Sequence, residues 1–244
     1  MYKIYLYECK RLLLNKFFFG ILLVILFYGW QVLSNITIFG VCRTAPFSAW
    51  SFGDYISRML PVLWIGSLFF LTFFMSAKAK RVSVLIDATP INPRRYAIAR
   101  CAAALTGTCL LVFACLAEAA VFYGSYFKQY DPGDMLLPAL ITLVPMLVFA
   151  LGSGWFWGRK KPWLIYFWMV VPLVLRVFPQ PNALGLLDGS FFVQYPLTTG
   201  ELDPVFRIPA SAVWVQSLLF VVGVILLIYA PDRKDNLNKN AFRL

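Results

Sequence analysis

The chain contains no histidine. That absence excludes Ser-His-Asp and Cys-His catalysis, the usual His-based zinc sites and His-based proton relays. Charge is sparse too: 14% of the 244 residues are charged, and acids number 11 against 22 bases. The five cysteines show no CxxC spacing, so they make no disulfide framework. Cys101, Cys109 and Cys115 share one apolar run, Cys9 lies near the N-terminus and Cys42 stands alone; all read as polarizable packing residues. No Gly-x-x-x-x-Gly is followed by Lys-Ser or Lys-Thr, so a Walker-type phosphate cradle is missing. Gly152, Ser153 and Gly154 before Lys160 only imitate one, because Trp155 and Trp157 interrupt them at the edge of an apolar run. Apolar runs also lack paired carboxylates at helical spacing, which argues against an ion-coupled carrier or an intramembrane metalloenzyme. Composition offers no catalytic residue and no metal site.

Apolar sequence is what the chain has in quantity. Hydrophobic residues make up 61% and the mean hydropathy is +0.74, outside the range of soluble domains. Six runs read as membrane helices: Phe17–Ile38, Tyr55–Ala77, Tyr96–Gly124, Met135–Trp157, Trp163–Phe178 and Ser211–Ala230. A hydrocarbon core of ~30 Å takes about 20 apolar residues as a helix. Helices are the economical solution there, since backbone polar groups find no water. The predicted fold class is therefore an all-α integral membrane protein with six transmembrane helices.

Positive charge is sorted across these runs. Seventeen of the 22 Lys and Arg fall on the N-terminal side, among them Lys10, Arg11, Lys78, Arg81, Arg159, Lys160 and Lys161. Only Arg43, Arg58, Lys128, Arg176 and Arg207 fall on the other. The positive-inside rule places both termini in the cytoplasm of a multi-pass plasma-membrane protein. The net charge of +11 is thus a topology signal and an attraction to anionic membrane lipid, not a nucleic-acid footprint. No cleavable signal peptide is expected, because no A-x-A-like site follows the first run.

Residues 1–16 read as an amphipathic interfacial helix. Tyr2, Tyr5, Leu6, Cys9, Leu12 and Leu13 make its apolar stripe, with Lys3, Glu8, Lys10, Arg11 and Asn15 opposite. The rival reading is a cytoplasmic extension of the first span. Residues 17–230 form the six-helix domain, and 231–244 a polar cytoplasmic tail. Gly154 and Gly158 make a GxxxG that can let two helices approach, although the Trp pair beside them also fits an aromatic belt. The outer segment at about 179–209 is too apolar to hang in water, so short outer helices are expected between spans five and six, dipping into the outer leaflet or capping the bundle. Two charges lie within apolar runs, Glu118 and Arg176, at similar depth; they pair with each other or line an outward cavity.

The most distinctive polar segment is the loop at about 78–95. Asn92 before Pro93 is a helix start, a capping side chain followed by the residue best tolerated in the first turn. Thr89 before Pro90 repeats the signal, so a short stub precedes a helix beginning at Pro93. From Pro93 to Gly124 that helix runs roughly 48 Å at about 1.5 Å per residue, and its first turns should project into the cytoplasm.

Asp87, Ala88, Thr89, Pro90, Ile91, Asn92, Pro93, Arg94 and Arg95, running on to Arg100, resemble the intracellular loop of type-2 ABC transporter permeases. In that family a polar residue, a Pro-containing turn and basic residues precede the third span. The layout is similar as well: an N-terminal amphipathic helix, six spans and a long outer segment between the last two. The resemblance implies a bacterial export-type permease whose loop forms a coupling helix on cytoplasmic ATP-binding subunits. It implies a second permease subunit, identical or related, facing the first. No cofactor would sit in this chain; ATP and Mg would be held by the partner ATPase. Aromatic content of 18% and the apolar outer segment suit an amphipathic or lipophilic cargo, such as an antimicrobial peptide or a drug. The competing expectation is a six-span assembly, sensor or lipid-modifying protein without transport.

Overall fold

A computed structural model of the chain describes residues 2–75, 93–127, 132–178 and 185–228. Among these, regular structure is helical and no strand occurs. Helix α1 spans Tyr2–Leu13 and α2 spans Lys16–Asn35. Asn15 separates them: its backbone is extended, and its side-chain oxygen accepts the Phe17 N–H at 3.3 Å. An Asn in that position satisfies a donor that a helix start leaves free. The helix of the N-terminal segment thus ends before the first long apolar helix begins.

Helix α3 spans Ala49–Met75 and begins one and a half turns earlier than hydropathy suggests. The expected outer loop up to Asp54 is half helix, because the Ser48 hydroxyl caps the Ser51 N–H at 3.3 Å. Helix α4, Pro93–Tyr126, starts at the expected proline and runs 34 residues, roughly 51 Å. Helix α5 spans Pro132–Lys160. Helix α6, Trp163–Leu175, has 13 residues and reaches roughly 20 Å, short of a ~30 Å hydrocarbon core. Two short helices follow, α7 (Gly185–Asp188) and α8 (Ser190–Thr199), and then α9 (Ala210–Ile228). Among the described residues, five helical stretches are long and apolar enough to cross a membrane: Lys16–Phe39, Ala49–Met75, Tyr96–Tyr126, Gly133–Lys160 and Ala210–Ile228. The fifth expected span is the one that falls short.

Helix α3 is the hub, packing on α2, α4, α5, α6 and α8. Without a hydrophobic drive between helices in lipid, close fit and interhelical hydrogen bonds hold such a bundle. Glycine supplies the fit where α5 meets α9. A Cβ built on Gly152 would collide with the Gly223 carbonyl oxygen, and one on Gly223 would stand 2.7 Å from the Phe149 Cα. The expected GxxxG works differently: Gly154 accepts Leu68 and Leu71 of α3, while Gly158 accepts Met75 and Ile165. Its two glycines receive side chains rather than a facing backbone. Helix α6 is pinned by its indole. Trp168 Nε1 donates to Ser153 Oγ at 2.7 Å, and Trp64 Nε1 donates to the Trp168 carbonyl at 3.1 Å.

The described part of the outer segment caps α3, as its apolar composition requires. Trp50 Nε1 donates to the Pro204 carbonyl at 2.7 Å, and its ring packs on Tyr195 and Phe206 at 5.5 and 4.7 Å. Gly53 leaves the space that the Phe192 ring fills.

Candidate functional site

The loop residues Asp87, Ala88, Thr89, Pro90, Ile91 and Asn92 lie outside the described residues. Pro93, Arg94 and Arg95 open helix α4. What the structure describes is how the two ends of that loop are held. Phe74 closes α3 on one side, and Tyr96 and Arg100 stand one turn apart at the start of α4 on the other. Glu8 of α1 joins them. Tyr96 Oη donates to Glu8 Oε1 at 2.8 Å, and Arg100 Nε reaches the same oxygen at 3.5 Å. Arg100 Nη1 donates to the Phe74 carbonyl at 3.4 Å, and Arg11 Nη1 lies 3.5 Å from Glu8 Oε2.

Aromatic faces complete the cluster. The Arg100 guanidinium lies 4.3 Å from the centre of the Tyr96 ring and 5.9 Å from that of Phe74. Arg11 lies 5.0 Å over Phe73. Glu8 is 1% exposed and Arg100 8%, so neither charge is dissolved by water. A buried charge persists only when paired and hydrogen-bonded. Further along α1, Tyr5 Oη and Thr106 Oγ1 are 2.7 Å apart, and Leu12 enters the gap left by Gly107. Helix α1 is therefore fastened to α4 at several points, with its charged fastening at the base of the loop.

This corrects the expected orientation of α1. Hydropathy puts Glu8 on the outward polar arc with Lys3 and Lys10, whereas the structure buries Glu8 with Cys9 and Leu12. Of the apolar stripe, Cys9 and Leu12 are buried against the bundle, while Tyr2 and Leu6 are exposed at 72% and 45%. Arg100 decides the rotation, since its buried guanidinium requires a carboxylate and α1 carries one. A signal was present in the sequence: Glu8 is the sole acid before Asp54, isolated among Lys3, Lys10, Arg11 and Lys16.

The other expected pair is not formed. Arg176 follows the last residue of α6, and its Nη2 reaches the Asp188 carbonyl at 3.5 Å. Among the described residues no ion pair joins it to Glu118. Helix α6 packs on α3 and α5, which keeps Arg176 away from α4. Glu118 instead faces Gly29 of α2, where a Cβ would collide with the carboxylate and stand 3.2 Å from the Tyr55 hydroxyl. Tyr55 Oη donates to the Cys115 carbonyl at 3.3 Å, with Cys115 Sγ at the same distance. Glu118 Oε2 is buried and has no hydrogen-bond partner. Three helices thus converge on one carboxyl group.

Sequence reasoning passed over two further polar features. Asp54 is 2% exposed and binds Arg58 one turn on at 2.7 Å, beneath Gly189 of the outer cap. Gln216 and Thr142 are buried without hydrogen-bond partners. They stand one heptad before Gly223 and Phe149, the α5–α9 contact. Among the described residues no three His, Cys, Asp or Glu side chains gather to hold a metal.

The fold defines a class, a bundle of long apolar helices that fits a membrane-embedded protein. In comparisons with protein-family models, curated proteins and solved structures, nothing matches this chain.

Proposed function

We propose that this chain is the membrane permease subunit of an ATP-driven export system, moving an amphipathic or lipophilic substrate. The observation that carries the reading is the Glu8–Tyr96–Arg100 cluster, which also takes in the Phe74 carbonyl. A lever must be held at its base if a push on its tip is to move helices. The loop at 78–95 leaves α3 and re-enters at α4, and both roots are tied to each other and to α1. The residues that resemble a coupling helix, Asp87 to Arg95, lie in sequence between these two roots. The chain has no phosphate cradle of its own, so cytoplasmic ATP-binding subunits would hydrolyse ATP, and a second permease subunit would complete the path.

In this reading both termini face the cytoplasm of a bacterial plasma membrane. Trp163–Leu175 with Arg176–Phe178 makes a short crossing, the fifth of six in chain order. The N-terminal helix lies at the inner interface with Lys3 and Lys10 toward headgroups and water.

The test is charge reversal in the loop. Co-expressed with its ATPase, the chain carrying Arg94→Glu and Arg95→Glu should insert normally yet lose substrate-stimulated ATP hydrolysis or ATPase binding. Unchanged transport and unchanged ATPase association would reject the coupling role.

A further inference from the structure

We infer that Glu118 is the anionic half of a membrane-facing site for the ammonium group of an amphipathic amine. The site stands on its own geometry; that the amine is transported cargo rests on the permease reading above.

The wall opposite Glu118 is shaped around it. Any side chain at Gly29 would occupy the volume that the carboxylate fills, so α2 is hollowed at this level. Within that hollow the carboxylate takes a backbone hydrogen bond from Trp30. A carboxylate offers about four acceptor positions, yet Oε2 is buried with no partner. The Tyr55 hydroxyl stands nearby but directs its hydrogen toward Cys115. No described cation compensates: Arg58 is held by Asp54, and Arg176 by the Asp188 carbonyl. The missing partner therefore comes from outside the described bundle.

The surroundings select its chemistry. Calcium and magnesium take six or more oxygens, and among the described residues no three His, Cys, Asp or Glu side chains gather here. A primary ammonium presents three N–H donors, enough for Glu118 Oε2 and the Tyr55 oxygen together. It also favours aromatic faces. Trp30 follows Gly29 directly, is 46% exposed, and packs edge-to-face on Phe122 at 5.8 Å, one turn beyond Glu118. On the same two helices Phe27 and Val121 are exposed, apolar surface that suits an alkyl chain at the depth of the lipid tails. Anion, indole and apolar rim together describe a receptor for a lipophilic amine.

The test uses the purified full chain in nanodiscs of phosphatidylglycerol, which carries no amine. The probe is a long-chain alkylamine bearing a diazirine, with cross-links mapped by mass spectrometry. Labelling should centre on residues 29–30 and 118–122 and be competed by dodecylamine but not by dodecanol. Equal labelling by the matching diazirine alcohol would overturn the proposal, and that arm needs no variant. In Glu118→Gln labelling should fall roughly tenfold or more, the loss of a desolvated charge partner, while Arg176→Ala leaves it unchanged. Undiminished labelling of Glu118→Gln would likewise overturn it. Adding phosphatidylethanolamine separates the sources: competition identifies a lipid headgroup, and indifference a free amphipathic amine, both with the predicted chemistry. Because no ATPase is present, the result is independent of the loop experiment.

Discussion

Tyr96 donates its hydroxyl hydrogen to Glu8 across 2.8 Å, joining the N-terminal helix to the root of the longest helix among the described residues. The same carboxylate takes Arg100, whose other nitrogen holds the end of α3. One acid thus fastens three helices at the base of a single loop.

Removing that acid should cost more than removing the whole pair. Glu8→Ala leaves Arg100 buried and uncompensated, a loss of about 3 kcal/mol or more. Glu8→Ala with Arg100→Ala should cost less than the sum of the two single changes. Tyr96→Phe, which deletes one hydrogen bond, should cost about 1 kcal/mol. Denaturation midpoints in micelles decide this; additive single costs would mean that the cluster is not coupled.

Helix α1 should show a defined inward face. On a background free of native cysteines, single cysteines at positions 8, 9 and 12 should resist a polar thiol reagent. Those at 2, 3 and 10 should react, since these positions are exposed. Protection at position 2 matching that at 12 would restore the orientation drawn from hydropathy.

The α5–α9 seam tolerates no side chain. Gly223→Ala places a Cβ against the Phe149 backbone, which cannot rotate away, and should sharply lower folded yield. Gly20→Ala meets no atom within 4 Å and should leave yield unchanged. Size-exclusion profiles of the two variants give the comparison; similar behaviour would refute the tight seam.

Trp168 fixes α6 through one side-chain donor. Trp168→Phe and Ser153→Ala should show a coupling energy of about 0.6 kcal/mol, the usual size of an interhelical hydrogen bond in a membrane. A double-mutant cycle yielding no coupling would leave α6 held by packing alone.

Much of this fold is legible along the chain. Long apolar runs and Pro93 mark where helices begin, because backbone preference and hydropathy act over a few neighbouring residues. The Asn15 cap instead reads in sequence as part of a helical face. The absence of histidine and of a phosphate cradle is likewise complete in one dimension. The extra turns at the start of α3 escaped hydropathy, since Trp50 and Asp54 are buried by the outer cap and Ser51 by the preceding loop, not by lipid.

Rotation and neighbour were left to the tertiary structure. Hydropathy turns Glu8 outward, and only the buried Arg100 on another helix turns it in. Glu118 and Arg176 share a depth in the sequence, yet α6 packs on α3 and α5, so each takes a different neighbour. Gly152 and Gly223 stand 71 positions apart and carry no mutual sign in the sequence, although in the fold their backbones leave no room for a side chain between them. Helix identity follows from local terms that the sequence writes out in order. Which faces meet follows from shape and charge complementarity between distant segments, and that exists only once the helices are packed.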